Sequence, residues 1–125
     1  MTLNIQFDPE LGLLEVLPGS PNIPAGSFKQ RDDIQTVTFS DDLENIDSNA
    51  FASCRNLTTL NLPDSLSSIG KEAFYANFSL QRLVVPNGVV SVGDYALSTS
   101  AACNPFTSVR LSPASGSDLS QMGWC

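Results

Sequence analysis

Apolar residues recur along this chain at a single interval. Ile23, Ile46 and Ile69 are 23 residues apart, as are Phe28, Phe51 and Phe74. The same step links Ile34, Leu57 and Leu80, then Val37, Leu60 and Leu83, then Phe39, Leu62 and Val85, and it also aligns Ser40, Pro63 and Pro86. A period of this size marks stacked repeats, and the columns divide the chain into coils 18–40, 41–63 and 64–86. A fourth coil begins at Asn87 with Val92 and Leu97, takes a three-residue insertion within 98–103, and resumes at Phe106, Val109 and Leu111, closing near residue 112.

Within a coil, Leu57-Thr-Thr-Leu60-Asn-Leu62 ends in alternating apolar positions, the pattern of a half-buried strand, and Pro63 terminates it. A turn follows at Asp64-Ser65 or Asn87-Gly88, then a short apolar stretch closing on Ile or Val before Gly70 or Gly93, then a segment such as Lys71–Phe74 read as a single helical turn. One helical turn is unstable alone, and one coil cannot bury its own apolar side. Stacking coils about 4.8 Å apart solves both problems. The expectation is a β-rich right-handed solenoid of about four 23-residue repeats, with a parallel sheet, short helical turns and the apolar columns as core.

Strand alternation then defines an outer face. With Val37, Phe39, Leu60, Leu62, Leu83, Val85, Val109 and Leu111 inward, the outward set is Thr36, Thr38, Thr59, Asn61, Arg82, Val84, Ser108 and Arg110. Threonine is a good strand former in its own right. The arginines are more informative, because two of the four in the chain fall on adjacent strands of one polar face and suit a partner's carboxylates. Four strands present a projected patch of about 330 Å², less than the roughly 800 Å² per partner of a stable interface. Either binding is weak, or flanking turns and the 98–103 insertion join the face, or the module associates with itself or sits in a larger array.

The ends need closing, since an open coil exposes core and strand edge. Residues 1–17 read as an N-terminal capping hairpin, with Leu3–Phe7 alternating, a turn over Asp8–Gly12 and an apolar Leu13–Leu17; Leu11, Leu14 and Val16 also fit the end of a degenerate extra repeat. Residues 18–112 hold the repeats, and 113–125 form a polar C-terminal tail expected to fray unless Trp124 docks on the last coil.

The runs Ile46-Asp-x-x-Ala50-Phe51-x-x-Cys54-x-x-Leu57-x-x-Leu60-x-Leu62-Pro63 and Ile69-Gly-x-x-Ala73-Phe74, continued by Leu80-x-x-Leu83-x-Val85-Pro86, resemble the BspA-type leucine-rich repeat. Repeat one departs from the pattern at Ser27 and Ser40, and repeat four at Leu97 and the insertion. The resemblance implies a right-handed solenoid that binds other proteins, a surface or secreted location, and no catalytic residues. The best-described members of that family adhere to host matrix proteins, and nothing in this chain identifies such a ligand.

Composition narrows the chemistry. Thirteen acidic against six basic residues give a net charge of -7, and histidine is absent. So few, dispersed cations exclude a nucleic-acid partner. No stretch reaches the roughly 18 apolar residues of a membrane span, so no membrane insertion is expected. Met1–Leu17 carries Asp8, Glu10 and Glu15 and does not read as a signal peptide. Without histidine neither Ser-His-Asp nor Cys-His catalysis assembles, and the three cysteines contain no C-x-x-C pair for zinc. No cofactor and no enzymatic activity are expected. Cys54 and Cys103 share a column with Asn77 between them; two coil steps place them roughly 9 to 10 Å apart, too far for a disulfide, so both are expected as unpaired buried thiols.

Asp32, Asp33, Asp41, Asp42, Glu44 and Asp47 put six acids in 16 residues, with Asp32, Asp33, Asp41 and Asp42 the candidate calcium ligands. Their spacing fits no EF-hand loop, and a solvated face is the expected reading, with the cation site its lesser alternative. Asn56-Leu-Thr58 and Asn77-Phe-Ser79 match the glycosylation sequon, a match the repeat itself generates. The leading expectation is a non-enzymatic module that binds a protein partner through the polar sheet face. The alternatives are a structural module that self-associates and a calcium-dependent one.

Overall fold

A computed structural model describes residues 3–80, 82–86, 88–96 and 108–111. Among these residues ten strands follow in order: β1 (Ile5–Asp8), β2 (Leu13–Val16), β3 (Asn22–Ile23), β4 (Thr36–Phe39), β5 (Asn45–Ile46), β6 (Thr59–Asn61), β7 (Ser68–Ile69), β8 (Arg82–Val85), β9 (Ser91–Val92) and β10 (Ser108–Leu111). They wind into a β-solenoid with two ladders. The main ladder runs β1-β2-β4-β6, with β8 beside β6 and paired in turn to β10; the lesser one runs β3-β5-β7-β9. Except for the antiparallel β1/β2 pair, the pairings among the described residues are parallel.

The register repeats the sequence period. Val37 pairs with Leu60, Ile46 with Ile69 and Ile69 with Val92, each 23 residues on, so every column stacks on itself. Between β8 and β10 the step is 26, Leu83 opposite Val109, which places the three extra residues in the connection between them. At the other end Leu14 pairs with Val37 and Val16 with Phe39. β2 therefore holds the register of one more coil while β1 lies antiparallel along its outer edge, and the hairpin and the degenerate repeat are one structure.

Inside the stack, Phe28, Phe51 and Phe74 lie ring on ring, with centroids 5.2 and 5.5 Å apart and planes within 18° and 5°. Phe39 meets Phe51 edge-on at 6.0 Å. The columns Ile23-Ile46-Ile69-Val92, Ile34-Leu57-Leu80, Val37-Leu60-Leu83 and Leu43-Leu66-Val89 are buried with them, while Phe39 and Leu62 are only half-buried at the core margin. Aromatic stacking of this kind adds about 0.5–1.5 kcal/mol per pair to the burial of the rings.

The corner that follows each lesser strand is where the structure departs from expectation. No helix occurs among the described residues, and the single helical turn read at Lys71–Phe74 is instead a run of consecutive β-turns. Gly26, Asn49, Glu72 and Tyr95 have φ of 69, 60, 57 and 59°, and each sits third in a turn closed from Ser27, Ala50, Ala73 or Ala96 back three residues. That is type II geometry. The cause lies in the neighbouring coil. Amides of Asn49, Phe51 and Ser53 donate to the carbonyls of Lys71, Ala73 and Tyr75 at 3.0, 2.8 and 2.7 Å, whereas a helix aims every amide back along its own chain. Bonds between coils satisfy these groups at each level of the stack, which a one-turn helix cannot do.

The same tight stacking explains the glycines at Gly70 and Gly93. A Cβ at Gly70 would lie 2.6 Å from the backbone of Asp47 and Ser48, and one at Gly93 2.3 Å from the amide of Lys71. Leu97, Phe106, the insertion at 98–103 and the 113–125 tail with Trp124 lie outside the described residues. Among the described residues no helix is long and apolar enough to cross a membrane.

Candidate functional site

The register of the main ladder builds a face from two rows. Thr36 pairs with Thr59, and Thr38 with Asn61. Thr38, Thr59 and Asn61 are exposed and Thr36 is half-buried, with buried Val37 and Leu60 between them. In the last pair, Arg82 stands opposite Ser108 and Val84 opposite Arg110. The period carries the Thr36-Thr59 row to Arg82 and the Thr38-Asn61 row to Val84. Thr36, Thr38, Thr59 and Asn61 thus occupy two rows of one ladder, while Arg82, Val84, Ser108 and Arg110 belong to the separate β8/β10 pair and join those rows by the sequence period alone.

The face is longer than sequence reasoning made it. Leu13 pairs with Thr36 and Glu15 with Thr38; on the far side Asp8 pairs with Leu13 and Gln6 with Glu15. Gln6 and Asp8 are exposed, Leu13 and Glu15 half-buried. Subtracting 23 from Thr36 and Thr38 yields Leu13 and Glu15 directly, so that signal was present. β1 had none, because an antiparallel strand falls outside the period. The added strands put two carboxylates, Asp8 and Glu15, at the N-terminal end of the face.

Between β6 and β8 the ladder is interrupted, since β8 and β10 form a sheet of their own. A cleft of about 410 Å³ opens there, lined by Thr58, Thr59, Leu60, Asn61, Leu62, Asp64 and Pro86. Hydroxyl, amide and carboxylate groups gather on its rim. Thr58 Oγ1 is engaged, donating to the carbonyl of Gln35 at 3.2 Å.

The acidic residues do not converge. Asp32 and Asp33 precede β4 and Asp41 and Asp42 follow it, all four exposed. Arg31 grips Asp33 through Nε at 2.8 Å and Nη2 at 3.0 Å, and this hydrogen bond holds the Asp33 carboxyl below its usual range. The same guanidinium covers the Phe7 ring at 5.1 Å, tying β1 to the first coil. Asp42 accepts from Ser40 Oγ and from the amide of Gly19 at 2.8 Å, and those bonds, Ser40 first, lower its pKa. Among the described residues no three carboxylates or thiols gather as a metal site would require.

Cys54 is a free, buried thiol 3.1 Å from the carbonyl of Phe28, and its amide donates to Asn77 Oδ1 at 3.0 Å. Burial pushes the thiol up to about 11 from its ordinary 9.0. Such a group is a weak nucleophile at neutral pH. Cys103 lies outside the described residues. Asn77 is fully buried, which closes the second sequon in the folded chain, while Asn56 is exposed and donates to the Asp32 carbonyl at 2.7 Å.

Comparison with known proteins adds identity to this geometry. The BspA type leucine rich repeat region matches in six copies over residues 21–115, and no curated protein matches the sequence. Among solved structures, the pneumococcal vaccine antigen PcpA is 27% identical with a TM-score of 0.67, covering 72% of this chain and 22% of its own. A leucine rich cell surface protein from Faecalibacterium prausnitzii is 18% identical at a TM-score of 0.69, covering 86% of this chain and 33% of its own. A leucine-rich repeat protein from Bacteroides capillosus is 22% identical at 0.62, covering 86% and 92%. The chain thus spans a fifth to a third of the first two and nearly all of the third.

Proposed function

The chain belongs to the BspA-type leucine-rich repeat family, and on that premise we propose that it is a non-enzymatic protein-interaction module acting through the outer face of its main ladder. The observation that supports the reading is the register of β4 and β6: Thr38, Thr59 and Asn61 stand exposed on the stack beside the polar cleft at the β6/β8 break, and the sequence period extends their rows to Arg82 and Val84, which pair with Ser108 and Arg110. The residues that hold the fold are buried in other columns, so this face is free of structural duty. Repeat families of this kind generally lack enzymatic activity. A place at a cell surface fits the relative that is a vaccine antigen.

Thr36, Thr38, Thr59 and Asn61 supply hydroxyl and amide groups for hydrogen bonds, and Arg82 and Arg110 the charge that pairs with a partner's carboxylates. The test is surface plasmon resonance against purified extracellular matrix proteins, with Arg82→Glu/Arg110→Glu compared to wild type. Affinity falling at least about tenfold, a change of about 1.4 kcal/mol, supports the face. Equal affinity removes it.

A further inference from the structure

Among the described residues β1 is the outermost strand of the main ladder, and one bond fixes which of its groups face outward. The Leu17 amide donates to the Asn4 carbonyl at 2.9 Å. Asn4 and Leu17 are thus a hydrogen-bonded pair, and the antiparallel alternation makes Gln6/Glu15 and Asp8/Leu13 the next such pairs. Ile5 and Phe7 fall between them, opposite Val16 and Leu14. Their N–H and C=O groups therefore point away from β2, toward an edge that no other described strand covers.

The edge is short and held in shape. Phe7 packs on the core beneath the Arg31 guanidinium, while Ile5 is 38% exposed. Just before β1, the Asn4 amide turns aside to Ser20 Oγ at 2.6 Å. Just after it comes Pro9, which has no N–H to offer.

We infer that this edge pairs with β1 of a second copy, antiparallel about a two-fold axis through Gln6. In that register Ile5 of each copy stands opposite Phe7 of the other, and the two pairs exchange all the outward N–H and C=O groups of Ile5 and Phe7. Shifting by two residues toward the turn sets Pro9 opposite Ile5 and loses a donor. The reverse shift sets Phe7 opposite Leu3, which lies outside the strand.

Side chains and charge favour the same register. The exposed Ile5 gains Phe7 of the other copy as a cross-strand neighbour, and the axis itself is lined by uncharged Gln6. The nearest carboxylates on the ladder stay apart: Asp8 faces Asn4, and each Asp8 and each Glu15 lies about 14 Å from its symmetry mate, beyond the roughly 8 Å screening length at physiological ionic strength. A foreign strand has no such fit to an edge limited to two residues, whereas a second copy matches it in length, direction and charge. With so few bonds, the pair is weak and reversible.

The pairing stands apart from the reading of the outer face but enlarges that face. β1, β2, β4 and β6 of two copies form one continuous ladder of about 650 Å² projected area, approaching the roughly 800 Å² per partner that a stable interface requires.

Sedimentation velocity under reducing conditions, from about 10 µM to about 1 mM, tests the inference, with an expected dissociation constant on the order of 100 µM. Gln6→Lys and Gln6→Glu each set like charges opposite one another on the axis, and each alone is expected to dimerise at least about threefold more weakly. Mixed in equal amounts, they set opposite charges there and are expected to form a heterodimer at least as tight as wild type. Ile5→Pro removes an outward amide and should weaken pairing at least about tenfold. Wild type that stays monomeric to about 1 mM overturns the inference and leaves the matrix-protein experiment to decide the outer face by itself. A dimer of unchanged strength in Gln6→Lys and Gln6→Glu also overturns it, as does a mixture that fails to associate while both variants keep the wild-type circular dichroism spectrum.

Discussion

The turn corner and the outer sheet face are built from the same 23-residue step, yet they use it in opposite ways. Along the corner the column repeats its residue: Phe28, Phe51 and Phe74 stack ring on ring, and Ala50, Ala73 and Ala96 are all fully buried. Along the face the column keeps its direction but changes its chemistry, from Glu15 through Thr38 and Asn61 to Val84. Identity repeats where a side chain must fit its copy one coil away. Where a side chain meets solvent, only the strand alternation is imposed, and the residue is free to serve a partner.

The largest effect that sharpens this contrast is expected at Phe51, whose ring has an aromatic neighbour on both sides. Phe51→Ala should cost about 3–5 kcal/mol in urea unfolding, and in a small stack that is much of the total stability. A loss under about 1 kcal/mol contradicts the buried spine. Next comes Gly70→Ala, which forces a Cβ to within 2.6 Å of the Asp47 and Ser48 backbone. Its expected cost is on the order of 2 kcal/mol by the same assay.

Glu72→Gly works in the opposite direction. Glu72 holds φ of 57°, a conformation that costs an L-residue roughly 1–2 kcal/mol, partly offset by the backbone freedom that glycine loses on folding. A net gain of about 0.5 kcal/mol is expected in the urea midpoint. A loss there assigns the Glu72 side chain a role the turn geometry does not.

Cys54 supplies a pH-dependent check on the corner. Burial raises the folded thiol from 9.0 to about 11, so the stability attached to its neutral form is complete below pH 9 and declines as pH rises from 9 through 11. At pH 8 its alkylation, followed by mass spectrometry of the Cys54 peptide, should proceed only at the rate of unfolding. Labelling as fast as a free thiol contradicts the burial. Smallest of all, Thr38→Ala and Asn61→Ala should leave stability within about 0.5 kcal/mol of wild type, because they lie on the exposed rows.

The contrast also accounts for what could be read from the chain. Columns of Ile, Phe and Leu disclosed the coil, its core and its outward rows, since close packing on an identical neighbour leaves little choice of residue. The type II corners were not legible: Ala73-Phe74 after Gly70 fits a helical turn equally well, and the deciding hydrogen bonds run to another coil. The lesser ladder escaped notice because two-residue strands such as Asn45–Ile46 are too short to show alternation. β2 was half legible, with Leu14 and Val16 in column but no Phe or Pro to complete the coil. The acidic end of the face went unread with it.

The central claim is that stability resides in the corner and recognition on the face. It is tested most directly by measuring the urea midpoint and the matrix-protein binding of Arg82→Glu/Arg110→Glu side by side with wild type. The account predicts unfolding within about 0.5 kcal/mol of wild type together with at least about tenfold weaker binding. Binding retained in full, or lost only because the stack unfolds, contradicts it.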